Sequence, residues 1–450
     1  MPGDAAPTAG RVLPRPALLL AGLLGIFLQI QGSFPIPGAG PKGLRLNLAD
    51  MLLPVTGGAI VYFLAVGRTQ LPRWRVPYVY IWLAILTSVL ALALLHSHFL
   101  YGHVNSWAVT NKFAGWFVLL AYFGLGGWFT VNYGGRAREI FLTAFIGAFI
   151  AVLVILLALT FAGIYSMVWG THPRMIEIEG FMGNRNAYAF LAMAALVFAT
   201  IPVLGGTASR YYRASASILW FLLPLTIYYN GSRTFLVASA LIFLIILLWR
   251  GRETARSLLL PLLAGILLCC AVDYIHPRPV AVIGQTEQTL KIAQTLSKDP
   301  TALAQAQKLA IPNTSEAVRL RVLSDALVLW RTHPLTGAGL GSFWDFSQKK
   351  YAETTKPVEI IDCTSLWLLT ETGLAGLAIF SFFFALILFG LLKGIRQGDG
   401  EEIAFLQSAV IFLVCFVFMS LFQEILYTRF LWFIMGLALA RPAGVTASLP

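Results

Sequence analysis

The chain of 450 residues is 58% hydrophobic and only 12% charged, against about 45–50% apolar and about 25% charged in soluble domains. That balance excludes a soluble globular domain, a disordered chain and a coiled coil, and a mean hydropathy of +0.77 agrees. The net charge of +12 first raises the question of where basic residues sit across a membrane, and no nucleic-acid partner is needed to account for it.

Apolar runs separated by Arg, Gly and Pro clusters predict an all-α polytopic membrane protein with about twelve transmembrane helices. The spans are 17–34, 48–66, 76–95, 112–133, 139–165, 187–203, 214–230, 234–249, 256–274, 374–393, 402–422 and 428–440. Arg11 and Arg15 ahead of the first run look like the start of a signal peptide, but no small-x-small cleavage site follows, so the run reads as the first membrane helix. With a cytoplasmic N-terminus, fifteen basic residues fall in cytoplasmic segments and seven in short outer ones, leaving ten for the long loop. That bias places both termini in the cytoplasm. The chain divides into 1–274 with helices one to nine, a large external loop over 275–361, and 362–450 with the last three helices. All six histidines then lie outside, at His96, His98, His103, His172, His276 and His333. Four cysteines are too few for a disulfide framework and read as packing residues.

The long loop is predicted to be partly helical. Asn313 is a cap, Glu316 follows three residues later, and Val318, Leu320, Leu323, Leu327 and Trp330 form a helical apolar stripe. The helix is expected to stop at His333, because the residue before Pro334 disfavours the helical region. Gly337, Gly339 and Gly341 follow. They do not have the spacing of a nucleotide cradle, and they suit a tight loop whose backbone approaches the membrane surface or a lipid headgroup.

The turn Tyr229-Asn230-Gly231-Ser232-Arg233 is so short that Arg233 must sit at the outer mouth of the eighth span, near a helix N-terminus that favours phosphate. The alternative is an arginine reaching the interface. Gly183-Asn184-Arg185-Asn186 brings a second arginine outside, flanked by amides suited to sugar hydroxyls; otherwise it is a polar turn with a cap at Asn186. Arg319 and Arg321 project from different faces of the loop helix, so at most one joins a shared site. Glu371 sits at the outer edge of the tenth span, where it either serves a site or pairs with an arginine. Glu424 and Arg429 bracket the last outer turn and are expected to pair. Outside, Glu177 and Glu179 are the only closely spaced acidic pair, which argues against a catalytic metal.

These pieces carry a resemblance. Gly183-Asn184-Arg185-Asn186-Ala187, Gly231-Ser232-Arg233, Arg319-Leu320 with Asp325-Ala326-Leu327, the run from Pro334 to Phe343, and Leu369-Thr370-Glu371-Thr372-Gly373-Leu374-Ala375-Gly376 together resemble the O-antigen ligase and polymerase superfamily. The resemblance implies a GT-C-like glycosyltransferase of the bacterial inner membrane that works at the periplasmic face without nucleotide, metal or other cofactor. Its donor would be an undecaprenyl diphosphate-linked glycan, and its acceptor lipid A core or another glycan. By the same resemblance Arg233 and Arg319, with Arg185 beside them, hold the diphosphate. Asn184, Asn186, Gly337, Gly339, Gly341 and Glu371 are candidates for positioning substrate. One departure stands out: where the ligases carry histidine followed by Asn, Ser or Gln, then nine residues and a paired-glycine motif, this chain has Asp362-Cys363, residues 364–372, and Gly373 and Gly376. The candidate catalytic base is therefore Asp362, or His333 beside the glycine run. The implied activity is ligase-like transfer, with polymerisation of lipid-linked repeats as the alternative and a transporter or flippase as the reading from another class.

Overall fold

The structure is a computed structural model that describes residues 15–34, 44–162, 178–204, 206, 209–250, 252–275, 315–351, 360–398 and 400–442. It is mostly helical. The helices, in chain order, are α1 (Arg15–Phe27), α2 (Leu53–Ala65), α3 (Val79–Tyr101), α4 (Gly115–Phe161), α5 (Arg185–Leu204), α6 (Arg210–Asn230) and α7 (Arg233–Arg250). They continue as α8 (Arg252–Ile275), α9 (Ser315–Thr332), α10 (Ser342–Tyr351), α11 (Thr364–Gln397), α12 (Gly400–Ser420) and α13 (Arg429–Leu439). One antiparallel hairpin joins β1 (Gln31–Phe34) to β2 (Leu44–Asn47).

Among the described residues, seven helical stretches are long and apolar enough to cross a membrane, and α1, α7 and α13 contain shorter apolar ones. The stretch Ala108–Phe161 holds 54 residues, about 80 Å of helix against a hydrocarbon core of about 30 Å. It bends at Gly134, whose φ of 61° and ψ of −147° lie outside the helical region. The stretch is two helices that meet at this kink, and the chain folds back there, since Phe129 before it and Phe141 after it both pack on Phe433, at 6.1 and 4.6 Å. The spans expected at 112–133 and 139–165 are these two helices.

A helix that is apolar on every side has two solutions, burial in protein or contact with lipid, and both occur here. Every residue of α13 is buried, and α5 and α12 lie beside it, with Phe190 stacked on Phe412 at 4.9 Å. Gly436 on α13 and Gly126 on α4 leave no room for a Cβ, because each faces the other helix's backbone. Small residues thus let these two helices touch, the usual close packing of membrane bundles. At the rim, α2, α3 and α8 present Val55, Phe99 and Leu260 at 75%, 81% and 75% exposure. Such side chains suit a lipid environment.

Two stretches differ from expectation. α1 ends at Phe27 and not at 34, because the Gln29 amide donates to the carbonyls of Gly25 at 3.0 Å and Phe145 at 2.7 Å, after which the chain extends into β1. α11 begins at Thr364 but is two helical segments that meet in a kink at Gly373, where φ is 72° and ψ −175°, so the tenth span still starts at the expected 374 and an unexpected helical segment precedes it. α9 ends at Thr332. Asn313, Glu177, His172 and His276 lie outside the described residues.

Candidate functional site

Three helix N-termini are tied together at one end of the bundle. α6 stops at Asn230, Gly231 takes a left-handed conformation (φ 69°) and donates back to the Ile227 carbonyl at 3.0 Å, and α7 starts at Arg233. Arg233 thus occupies the first turn of its helix. The fully buried Asn230 donates through Nδ2 to the carbonyls of Ile178 at 2.8 Å and Arg185 at 2.9 Å, which pins the start of α5. There Asn184 Oδ1 accepts from the backbone of Asn186 at 2.7 Å and Ala187 at 3.3 Å, so the cap is Asn184 where Asn186 was expected. Asn186 has another partner. Gln423, also fully buried, donates from Nε2 to Asn186 Oδ1 at 3.1 Å and Ser232 Oγ at 3.3 Å. The Gln423 carbonyl accepts from the backbone of Thr364 at 3.1 Å and its hydroxyl at 3.0 Å. Asp362 lies two residues ahead of that anchor. The first turns of α5, α7 and α11, each the positive end of a helix, are so gathered around one glutamine.

The charged side chains follow. Arg233 interacts electrostatically with Arg319 and Arg185, and Arg319 with Arg185 and Asp362. Arg185 is half-buried, while Arg233, Arg319 and Asp362 are exposed. Desolvation, and after it the neighbouring Arg185, lower the pKa of Arg319, with Asp362 opposing; a guanidinium stays protonated at neutral pH nonetheless. Three cations thus lie near one another, and Asp362 offsets one of them, Arg319. The excess positive potential is what an anion relieves. Arg321 points elsewhere, stacking over Tyr351 at 5.2 Å.

His333 is not part of this group. Fourteen helical steps separate it from Arg319, about 21 Å of rise, and its ring meets His96 edge-on at 5.3 Å. The glycine run is buried and does not face a headgroup. Ala338 and Gly339 donate to the carbonyls of Thr370 and Glu371 at 2.9 and 3.1 Å, and Leu340 donates to Ala93 at 2.9 Å. A Cβ on Gly337, at φ +73°, would lie 2.6 Å from the Glu371 carbonyl oxygen. The run joins α3 to the bend of α11. Glu371 meets no arginine side chain in these contacts: its Oε2 accepts from Gly341 N–H at 3.0 Å and Trp367 Nε1 at 2.7 Å.

The expected pair of Glu424 and Arg429 is replaced by two others. Glu424 pairs with Lys112, and Arg429 Nη2 donates to Asp50 Oδ2 at 3.0 Å and to the Arg45 carbonyl at 2.8 Å. Each residue of the expected pair is met instead by a partner from an early segment, Lys112 or Asp50, that loop counting does not bring near. All four cysteines are free, and Cys363 Sγ accepts from Leu366 N–H at 3.5 Å at the start of α11. Burial raises its thiol pKa. Among the described residues no three His, Cys, Asp or Glu side chains come together.

Gln423, Asn230, Arg45 and Lys112 were not singled out by sequence reasoning. Gln423 had a signal, a lone amide at the end of an apolar run, where a polar group needs a partner.

Fold and site together describe a polytopic helical membrane protein with an arginine cluster at one end of its bundle. Residues 216–381 match the family model for O-antigen ligase, which supports the resemblance to the O-antigen ligase and polymerase superfamily. The matched stretch includes Arg233, Arg319, Asp362 and Glu371, while Arg185 precedes it. No curated protein matches the chain.

Proposed function

We propose that the protein is an O-antigen ligase-like glycosyltransferase that moves a glycan from undecaprenyl diphosphate to the hydroxyl of an acceptor sugar, lipid A core in the first instance. The gathering of Arg185, Arg233 and Arg319 beside Asp362 carries this reading. The acceptor oxygen attacks C1 of the donor's first sugar and forms the new glycosidic bond. The bond from C1 to the diphosphate oxygen breaks, and its electron pair leaves on the diphosphate. Arg233 and Arg319 stabilise that developing charge, with Arg185 completing the clamp. The acceptor's proton passes to the Asp362 carboxylate, which replaces the family's histidine as base. Asn184, Asn186, Gly337, Gly339, Gly341 and Glu371 position substrate indirectly, by fixing the helix starts and the bend of α11. The reading assigns no step to a metal.

In this account the chain makes twelve crossings of the inner membrane, keeps both termini in the cytoplasm and carries out transfer at the periplasmic face. The basic residues on the other end of the bundle, among them Arg73, Arg75, Arg138 and Arg441, are consistent with the positive-inside rule. A strain lacking the protein distinguishes the acceptors. Bare lipid A core identifies a ligase, core bearing single repeats identifies a polymerase, and unaltered lipopolysaccharide contradicts both.

A further inference from the structure

A charged cavity lies on the far side of the wall that holds the arginine cluster. It measures about 380 Å³, within the roughly 300–1,000 Å³ of small-molecule sites. Its lining includes the charged Arg45, Lys112 and Glu424, the rings of Trp107 and Tyr427, and the apolar Leu53, Pro54 and Val118. The wall is the turn between α12 and α13. Gln423 turns its side chain toward Asn186 and Ser232 on the arginine side, while its neighbour Glu424 lines the cavity. Asp362 serves both sides, since it interacts electrostatically with Arg319 on one and with Arg45 on the other.

The cavity is built for an amphiphile. Lys112, with its side chain 3% exposed, is fixed by Glu424 and by the rings of Trp367, Tyr427 and Trp107 at 4.2, 4.8 and 5.0 Å. Asp50 holds Arg429. The half-buried Arg45 guanidinium, by contrast, makes no hydrogen bond among the described residues, and a guanidinium's fork of N–H donors suits an incoming anion. Pro54 and Ala114 are exposed at the rim, between the peripheral α2 and the start of α4. Entry is thus sideways, with apolar surface for a lipid chain, aromatic rings for sugar faces and a cation for phosphate.

We infer that this cavity is the acceptor site and that it takes an anionic, lipid-anchored oligosaccharide. The inference rests on the glycosyltransferase reading, and it follows from the stereochemistry of displacement. The attacking hydroxyl must reach C1 from the face opposite the leaving diphosphate, and Asp362 is shared between the arginine cluster and this cavity.

Native mass spectrometry of the full-length protein counts bound lipids and tests the inference. One arm supplies undecaprenyl diphosphate-linked glycan alone, and the other supplies it together with lipid A core. Two glycolipids are expected on one protein in at least one arm: two copies of the first for a polymerase-type acceptor, or one of each for a ligase-type acceptor. Arg45→Gln should weaken one of the two sites about tenfold, the loss of about 1.4 kcal/mol, and Ala114→Trp should block the same site by filling its mouth. Arg233→Ala should weaken only the other. A single bound glycolipid in both arms, or a second one indifferent to Arg45→Gln and Ala114→Trp, overturns the acceptor site. Binding indifferent to Arg233→Ala but sensitive to Arg45→Gln contradicts the donor assignment and leaves the acceptor cavity standing.

Discussion

Gln423 and Asn186, 237 positions apart in the chain, are joined by a hydrogen bond of 3.1 Å in the buried layer beneath the arginine cluster. The same Gln423 amide group reaches Ser232 at 3.3 Å, so one side chain sets the spacing between the residue after Arg185 and the residue before Arg233. Since Gln423 touches no exposed guanidinium in these contacts, it acts by placing them.

Gln423→Leu should therefore lower kcat about tenfold and raise the donor KM, while acceptor KM changes little. Buried partners left unsatisfied cost about 1–3 kcal/mol, so thermal unfolding should also shift downward. Gln423→Asn, which keeps the amide but shortens its reach, should fall between the two. Steady-state kinetics with donor and acceptor varied separately give the split; a purely structural role would lower the amount of active protein and leave both KM values unchanged.

Asp362→Asn should reduce transfer about a hundredfold, the scale of losing a general base, whereas His333→Ala should leave the rate within about threefold. His333 stands at the far end of α9 with His96. Equal losses in the two variants would restore the histidine as a candidate base.

Lys112→Met should be severely destabilising, because it strands Glu424, whose side chain is 8% exposed. Breaking a buried pair from one side costs about 3–5 kcal/mol. The double variant Lys112→Met with Glu424→Gln should recover most of the loss. Unfolding midpoints of the detergent-solubilised proteins supply the comparison.

Three neighbouring arginines, with Asp362 offsetting only Arg319, should make the protein sensitive to anions. Undecaprenyl diphosphate is expected to raise the unfolding temperature more than undecaprenyl monophosphate, and a ligand at a hundred times its Kd adds about 2.7 kcal/mol. Arg319→Ala should remove the difference between the two lipids.

Much of the fold is legible in residue order. The apolar runs coincide with helices because twenty apolar residues in lipid have few alternatives to hydrogen-bonding their own backbone, and Pro334 ends α9 for a local steric reason. The breaks at Gly134 and Gly373 are legible as span boundaries, but the sequence does not show that each is made by a single residue of unusual backbone where two helices meet. Arg233 could be placed because a two-residue turn leaves it nowhere else to go. Gln423, Arg45 and Lys112 depend on contacts between segments hundreds of residues apart, and no local pattern carries that information. Glu371 is the converse, an acid with the look of a ligand-binding group whose Oε2 accepts from Gly341 and Trp367 inside the fold, so its position in the sequence does not show that it acts through the backbone around it.

The central claim is that the arginine cluster holds the leaving diphosphate. Transfer of glycan from undecaprenyl diphosphate by the purified protein in lipid vesicles, for wild type, Arg233→Ala, Arg319→Ala and Arg319→Lys, measures it directly. The account predicts that either alanine variant lowers the transfer rate by about 10²–10³, with lysine recovering part of the loss at Arg319. Transfer at the wild-type rate by Arg233→Ala would contradict it.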